Sequence, residues 1–154
     1  MKQSRLAVAA IATVLLAGCA KKDAAVDTTA TATPPAPAPL TLASLAGTWN
    51  FRSVPEAGTD TTPTTYVVTA SADSTWQLTF ASGEKTTLMV TTSGDSIMMK
   101  TPVFSSQRRK GVKVMTEGVA RLQDGKLVGH TIAHYQGAGK DSVLRLRTEG
   151  TKAP

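Results

Sequence analysis

The sequence predicts an all-β domain over residues 40–154, folded as an up-and-down barrel of eight antiparallel strands. A two-sheet sandwich with Greek-key connections is the competing architecture. Three observations carry the prediction. Apolar and polar residues alternate at period two, with Trp49 and Phe51 set between Thr48, Asn50 and Arg52. Turn residues interrupt the alternation at short intervals. No stretch keeps the 3.6-residue period of an amphipathic helix.

The strands are placed near residues 47–54, 64–71, 74–81, 86–92, 95–101, 111–122, 126–136 and 142–149. In the third, Trp76, Leu78 and Phe80 alternate with Thr75, Gln77 and Thr79. Ser82-Gly83-Glu84 then separates it from the fourth, and Ser93-Gly94-Asp95 precedes the fifth. Asp124-Gly125 lies between two long alternating runs, where a two-residue hairpin turn with positive φ fits. Gly137-Ala138-Gly139-Lys140-Asp141 leads into the last strand, where Leu144 and Leu146 alternate with Val143, Arg145 and Arg147. The many threonines suit exposed strand faces, because a β-branched side chain packs well on a pleated surface.

An open sheet of eight short strands would leave two unpaired edges and an uncovered apolar face. Closure into a barrel removes both. Leu45-Ala46-Gly47-Thr48-Trp49 opens the first strand with Gly-x-Trp. This resembles the opening motif of the lipocalin-like barrels. The resemblance implies that Trp49 plugs the closed end and that an arginine near the end of the last strand packs over it. Arg147 is the matching position, with Arg145 as the alternative. An eight-stranded barrel holds side chains or one small ligand. Trp76, Phe80 and Leu88 are the candidate ligand-binding residues. With Leu78 and Met98 or Met99, they either line a pocket or fill it.

The chain divides into three parts. Residues 1–18 read as an export signal: Lys2 and Arg5 precede an apolar run over residues 6–16 that is too short to span a bilayer. Leu16-Ala17-Gly18-Cys19 closes it and resembles the lipobox of bacterial lipoproteins. The resemblance implies that Cys19, the only cysteine, is acylated and becomes the first mature residue. Ala20 follows it, with no aspartate to direct retention in the inner membrane. The expected location is therefore the cell envelope, at the periplasmic or surface face of the outer membrane in a diderm cell. Residues 19–39 form an Ala/Thr/Pro tether with almost nothing to bury. Loss of Lys2 and Arg5 leaves 15 basic and 11 acidic side chains, a net +4, which is no nucleic-acid signature. With Cys19 acylated, no thiol remains for a disulfide or a cysteine zinc site.

Catalytic patterns are lacking. His130 and His134 on one strand would stand about 13 Å apart, too far to share a zinc ion. No Gly-x-Ser-x-Gly and no Gly-rich phosphate loop followed by a helix is present. Asp95, Asp124 and Asp141 belong to turns. Arg108-Arg109-Lys110 with Lys113 is the densest charge feature. It reads first as a solvated loop and second as a contact for an acidic ligand or anionic lipid. Val103 and Phe104 beside it form a lid over the barrel mouth or cover its edge.

The expected protein is a monomeric, lipid-anchored envelope protein with no cofactor and no metal. Its barrel either binds a small apolar or amphipathic molecule or, if filled, serves as a protein-interaction, assembly or inhibitor module. Cys19→Ala should abolish both acylation and membrane association. Labelled palmitate incorporation and membrane fractionation check this, and retention of both in the variant would refute the lipid anchor.

Overall fold

The computed structural model describes residues 39–137 and 139–154. The signal segment, the lipidation site Cys19 and nearly all of the tether lie outside the described residues. Nine strands form one antiparallel sheet: β1 (Gly47–Pro55), β2 (Thr64–Ala70), β3 (Thr75–Phe80), β4 (Lys85–Ser93), β5 (Ser96–Lys100), β6 (Phe104–Ser105), β7 (Lys113–Gln123), β8 (Lys126–Tyr135) and β9 (Val143–Lys152). Eight of them match the sequence prediction. The ninth, β6, is a two-residue stub on the edge of β7.

Strands pair with their chain neighbours except across β5 and β6, and two further pairings close the barrel. β5 pairs with β7 from Ser96↔Arg121 to Lys100↔Glu117. β1 pairs with β9 from Trp49↔Lys152 to Pro55↔Leu146. Closure excludes the sandwich. At the predicted hairpin, Gln123 faces Lys126 across Asp124 and Gly125, which have φ of 50° and 76°. These positive values twist the turn in the sense its strands need.

Glycines let the wall bend tightly. Gly150 faces Phe51 across the β1–β9 seam. A Cβ there would stand 2.6 Å from the Phe51 Cζ, so the ring lies flat over bare backbone. On β8, a Cβ at Gly129 would overlap the Val119 carbonyl oxygen of β7. Only glycine allows the two backbones this close approach.

The closed end is built on Trp49. A one-turn helix, α1 (Leu42–Leu45), precedes β1 and is capped reciprocally by Thr41 and Ser44. Four residues are too few to show a helical period, which is why the sequence did not reveal it. Leu40 N–H donates to the Gly94 carbonyl at 3.3 Å, drawing this segment across the barrel end to the β4–β5 turn. Leu45 is fully buried there, and the Trp49 indole N–H donates to its carbonyl at 2.7 Å. Trp49 and Trp76 are both buried beside Ile97 and Leu127.

The arginine expected over Trp49 is not there. Arg147 is exposed and lies on the outer face, between Val54 and His130 in register. Its position follows from strand alternation: Leu146 and Thr148 point inward, so Arg147 must point out. Arg145 is outward for the same reason. The cation near the indole is Lys152, whose Nζ stands 5.6 Å from the ring centroid, within cation–π range.

Trp49→Ala should cost about 3–5 kcal/mol in urea unfolding followed by circular dichroism. Arg147→Ala should leave the midpoint where it is. Comparable losses from the two variants would restore Arg147 to the plug.

Candidate functional site

The interior is nearly full. Small cavities remain inside the barrel. One, of about 20 Å³, is lined by Phe51, Leu78, Leu88 and Met99 in the middle of the core. Another, of about 60 Å³, lies below the mouth and is lined by Ser53, Tyr66, Phe80, Phe104, Arg108 and Thr131 among others. Sites that hold drug-sized ligands run to roughly 300–1,000 Å³.

Of the candidate ligand-binding residues, Phe80 lines the upper chamber and Leu88 the lower void. Trp76 lines neither. It sits at the closed end, where its indole N–H donates to the Ser71 and Asp73 carbonyls at 3.0 and 3.2 Å. That tie to the β2–β3 turn makes it a packing residue. Met99 is buried, whereas Met98 faces outward and is 43 % exposed.

A line of aromatic rings climbs from the seam to the mouth. Phe51 stacks on Tyr66 with centroids 5.4 Å apart, Tyr66 meets Phe80 edge-on at 5.9 Å, and Phe80 stacks on Phe104 at 5.4 Å. Beside these rings runs a chain of hydroxyls. Ser53 Oγ stands 3.1 Å from the Tyr66 hydroxyl and 2.9 Å from Thr148 Oγ1, which is 2.9 Å from Thr131 Oγ1. Four hydroxyls share three hydrogen bonds, so one O–H remains to point at the chamber or a water within it. Burial pushes the Tyr66 phenol up to about 12, which keeps it neutral.

Residues 101–112 lie over the mouth and are fastened to three other loops. Arg108 donates to Asp60 Oδ2 at 2.7 Å, and to the Thr62 carbonyl and Thr64 hydroxyl at 2.8 Å each. Arg109 lies 3.9 Å over the Tyr135 ring and donates to the Asp141 carbonyl at 2.6 Å. Gln107 donates to Glu84 at 2.7 Å, and the Ser105 amide donates to the same carboxylate at 3.3 Å. The two arginines are therefore not a solvated run. They latch the lid, and the Arg108 side chain is only 12 % exposed. The lid expected at Val103 and Phe104 is formed by Phe104, while Val103 is exposed.

Larger concavities occur on the outside of the barrel. One of about 610 Å³ spans β9, β1, β2 and β3 and is lined by Asn50, Arg52, Thr65, Val67 and Thr151 among others. Another of about 400 Å³ lies over Gly129, with Arg121, His130 and Arg147 around it. His130 Nδ1 pairs with Glu56, and Arg145 stands 3.6 Å from the same carboxylate. These partners hold Glu56 below its ordinary value, the His130 hydrogen bond most strongly. No three His, Cys, Asp or Glu side chains among the described residues stand close enough to share a metal ion.

The hydroxyl chain, the two latches and Lys152 were not identified from the sequence. Parity offered a signal for some of them, since Ser53 is in phase with Trp49 and Phe51, and Lys152 with Leu146 and Thr148. The long-range latches left none. Comparison with known proteins gave no match to a protein family, to a curated protein or to a solved structure.

The lid latch should respond to acid. Hydrogen bonds from Thr62, then the Arg108 guanidinium, hold the Asp60 carboxyl below its ordinary 3.8. A depressed carboxylate contributes stability that is complete above its unfolded value and lost as pH falls through its folded value. The latch should therefore be whole above about pH 4 and release below it. The Arg108 side-chain NMR signal should titrate with Asp60, with a midpoint below 3.8, and stop doing so in Asp60→Asn. A signal indifferent to that substitution would refute the latch.

Proposed function

We propose that this protein is a non-catalytic, lipid-anchored envelope protein whose barrel is a rigid scaffold for recognising another protein on its outer surface. The observation that carries this reading is the filled interior. Cavities of about 60 and 20 Å³ are far below what an apolar guest requires. Latches on three loops hold the lid shut. The lipobox at Cys19 supports the anchor, and the tether would hold the domain at a distance from the bilayer.

One observation favours a second reading, in which a small molecule binds at the mouth. The upper chamber is lined by hydroxyls in an otherwise apolar barrel, and apolar side chains would fill that space without a desolvation cost. In this reading the lid opens and a small neutral guest replaces Phe104 on Phe80.

Titration of the protein with the neutral apolar fluorophore N-phenyl-1-naphthylamine separates the two. The scaffold reading expects no saturable fluorescence increase, and mass spectrometry of the purified protein should find no bound lipid. Saturable one-to-one binding would overturn it in favour of the second.

A further inference from the structure

The outer wall carries one row of side chains that changes from apolar to cationic. In register across adjacent strands stand Met98, Val119, His130 and Arg147. Met98 and Val119 are 43 % and 50 % exposed, and Met89, diagonal to Met98 across β4 and β5, is 51 % exposed. His130 meets Glu56 through Nδ1, and its side chain is 62 % exposed. Arg147 forms no ion pair among the described residues. Between these two halves lies the depression of about 400 Å³ over Gly129. Its outward rim is formed by Val119, Arg121, Val128, His130 and Arg147, while Gly129 itself pairs with the buried Ala120 and Thr148.

We infer that this row is a docking site for a protein segment that places an apolar side chain on Met98 and Val119 and a carboxylate in the depression beside His130 and Arg147. The inference rests on the proposed scaffold reading and names the chemistry of its partner. Charge complementarity selects the carboxylate. Arg147 has five donors in a planar fork matched to that group, and no acidic side chain lines the depression. The acids nearby already have partners: Glu56 pairs with His130 and Arg145 and lies in the field of Arg147, Glu149 pairs with Lys126, and Asp95 with Arg121. Methionines adapt to varied apolar contacts. Polar groups rim the patch, with Lys100 and Glu117 paired at 2.9 Å on one side, as around an interface core. A concave site favours a protein side chain over a membrane surface, which takes up protruding apolar groups.

The spacing is specific. Val119 and Arg147 are two strands apart, about 10 Å, the reach of three extended residues. The test uses Ac-Leu-Gly-Gly-Asp-NH2 as probe and Ac-Leu-Gly-Gly-Asn-NH2 as control, with amide shifts of the ¹⁵N-labelled protein as readout. The aspartyl peptide should shift Val119, Gly129, His130 and Arg147 saturably and bind about fivefold more tightly than the control, the size of one exposed ion pair. Arg147→Glu should remove that preference, and replacing Asp by Lys in the peptide should restore binding to the variant. Equal shifts from both peptides, shifts elsewhere on the barrel, or no saturation at roughly 10 mM would overturn the proposal. Broadening of these amides by phosphatidylglycerol vesicles, without a response to the aspartyl peptide, would overturn it too and assign the row to lipid. None of these failures touches the scaffold reading, which the fluorophore titration decides.

Discussion

The pairing of β1 with β9 is the constraint on which the rest of the structure depends. It turns a meander into a barrel and removes the two edges that an open sheet would expose. The seam also organises the interior. Phe51 lies over Gly150 on one side and stacks on Tyr66 on the other. Ser53 on β1 reaches Thr148 on β9 through a buried hydrogen bond. Trp49 begins the seam and seals the closed end through the Leu45 carbonyl. A small barrel closed in this way has little spare volume, and bulky rings use most of it.

The two ends are closed by different physics. At the bottom, burial of Leu45, Trp49 and Trp76 dominates, and each indole N–H has a backbone acceptor. At the mouth, the lid has only a two-residue strand and relies on side-chain contacts to three loops. Most of those contacts are exposed, and exposed ion pairs contribute little singly. Their number and the aromatic contact of Phe104 hold the lid together. Of the two ends, the mouth is the one that acid or charge substitution should loosen first.

Much of the fold was legible because strand periodicity and turn chemistry are local. Asp124-Gly125 marked its hairpin, and the phases of Trp76, Leu78 and Phe80 gave their burial directly. Arg147 is the opposite case: the family resemblance puts it over Trp49, whereas the alternation of its own strand puts it outside. The fate of Arg108 and Arg109 was not legible at all. Their partners Asp60 and Tyr135 lie 48 and 26 positions away, and only the closed barrel brings those loops to one end. The depression over Gly129 likewise depends on how two strands bend together, which no single strand encodes.

The fold alone does not assign a function. The proposed scaffold role draws instead on the filled interior, which leaves the outer wall for recognition. That account requires the barrel to be closed at its seam. The most direct test is the set of backbone NOEs between β1 and β9 in the ¹⁵N-labelled protein. The account predicts cross-strand contacts at Asn50–Thr151, Phe51–Gly150 and Arg52–Glu149, with slow amide exchange along β1. Freely exchanging β1 amides with no NOE to β9 would mean an open sheet and would contradict it.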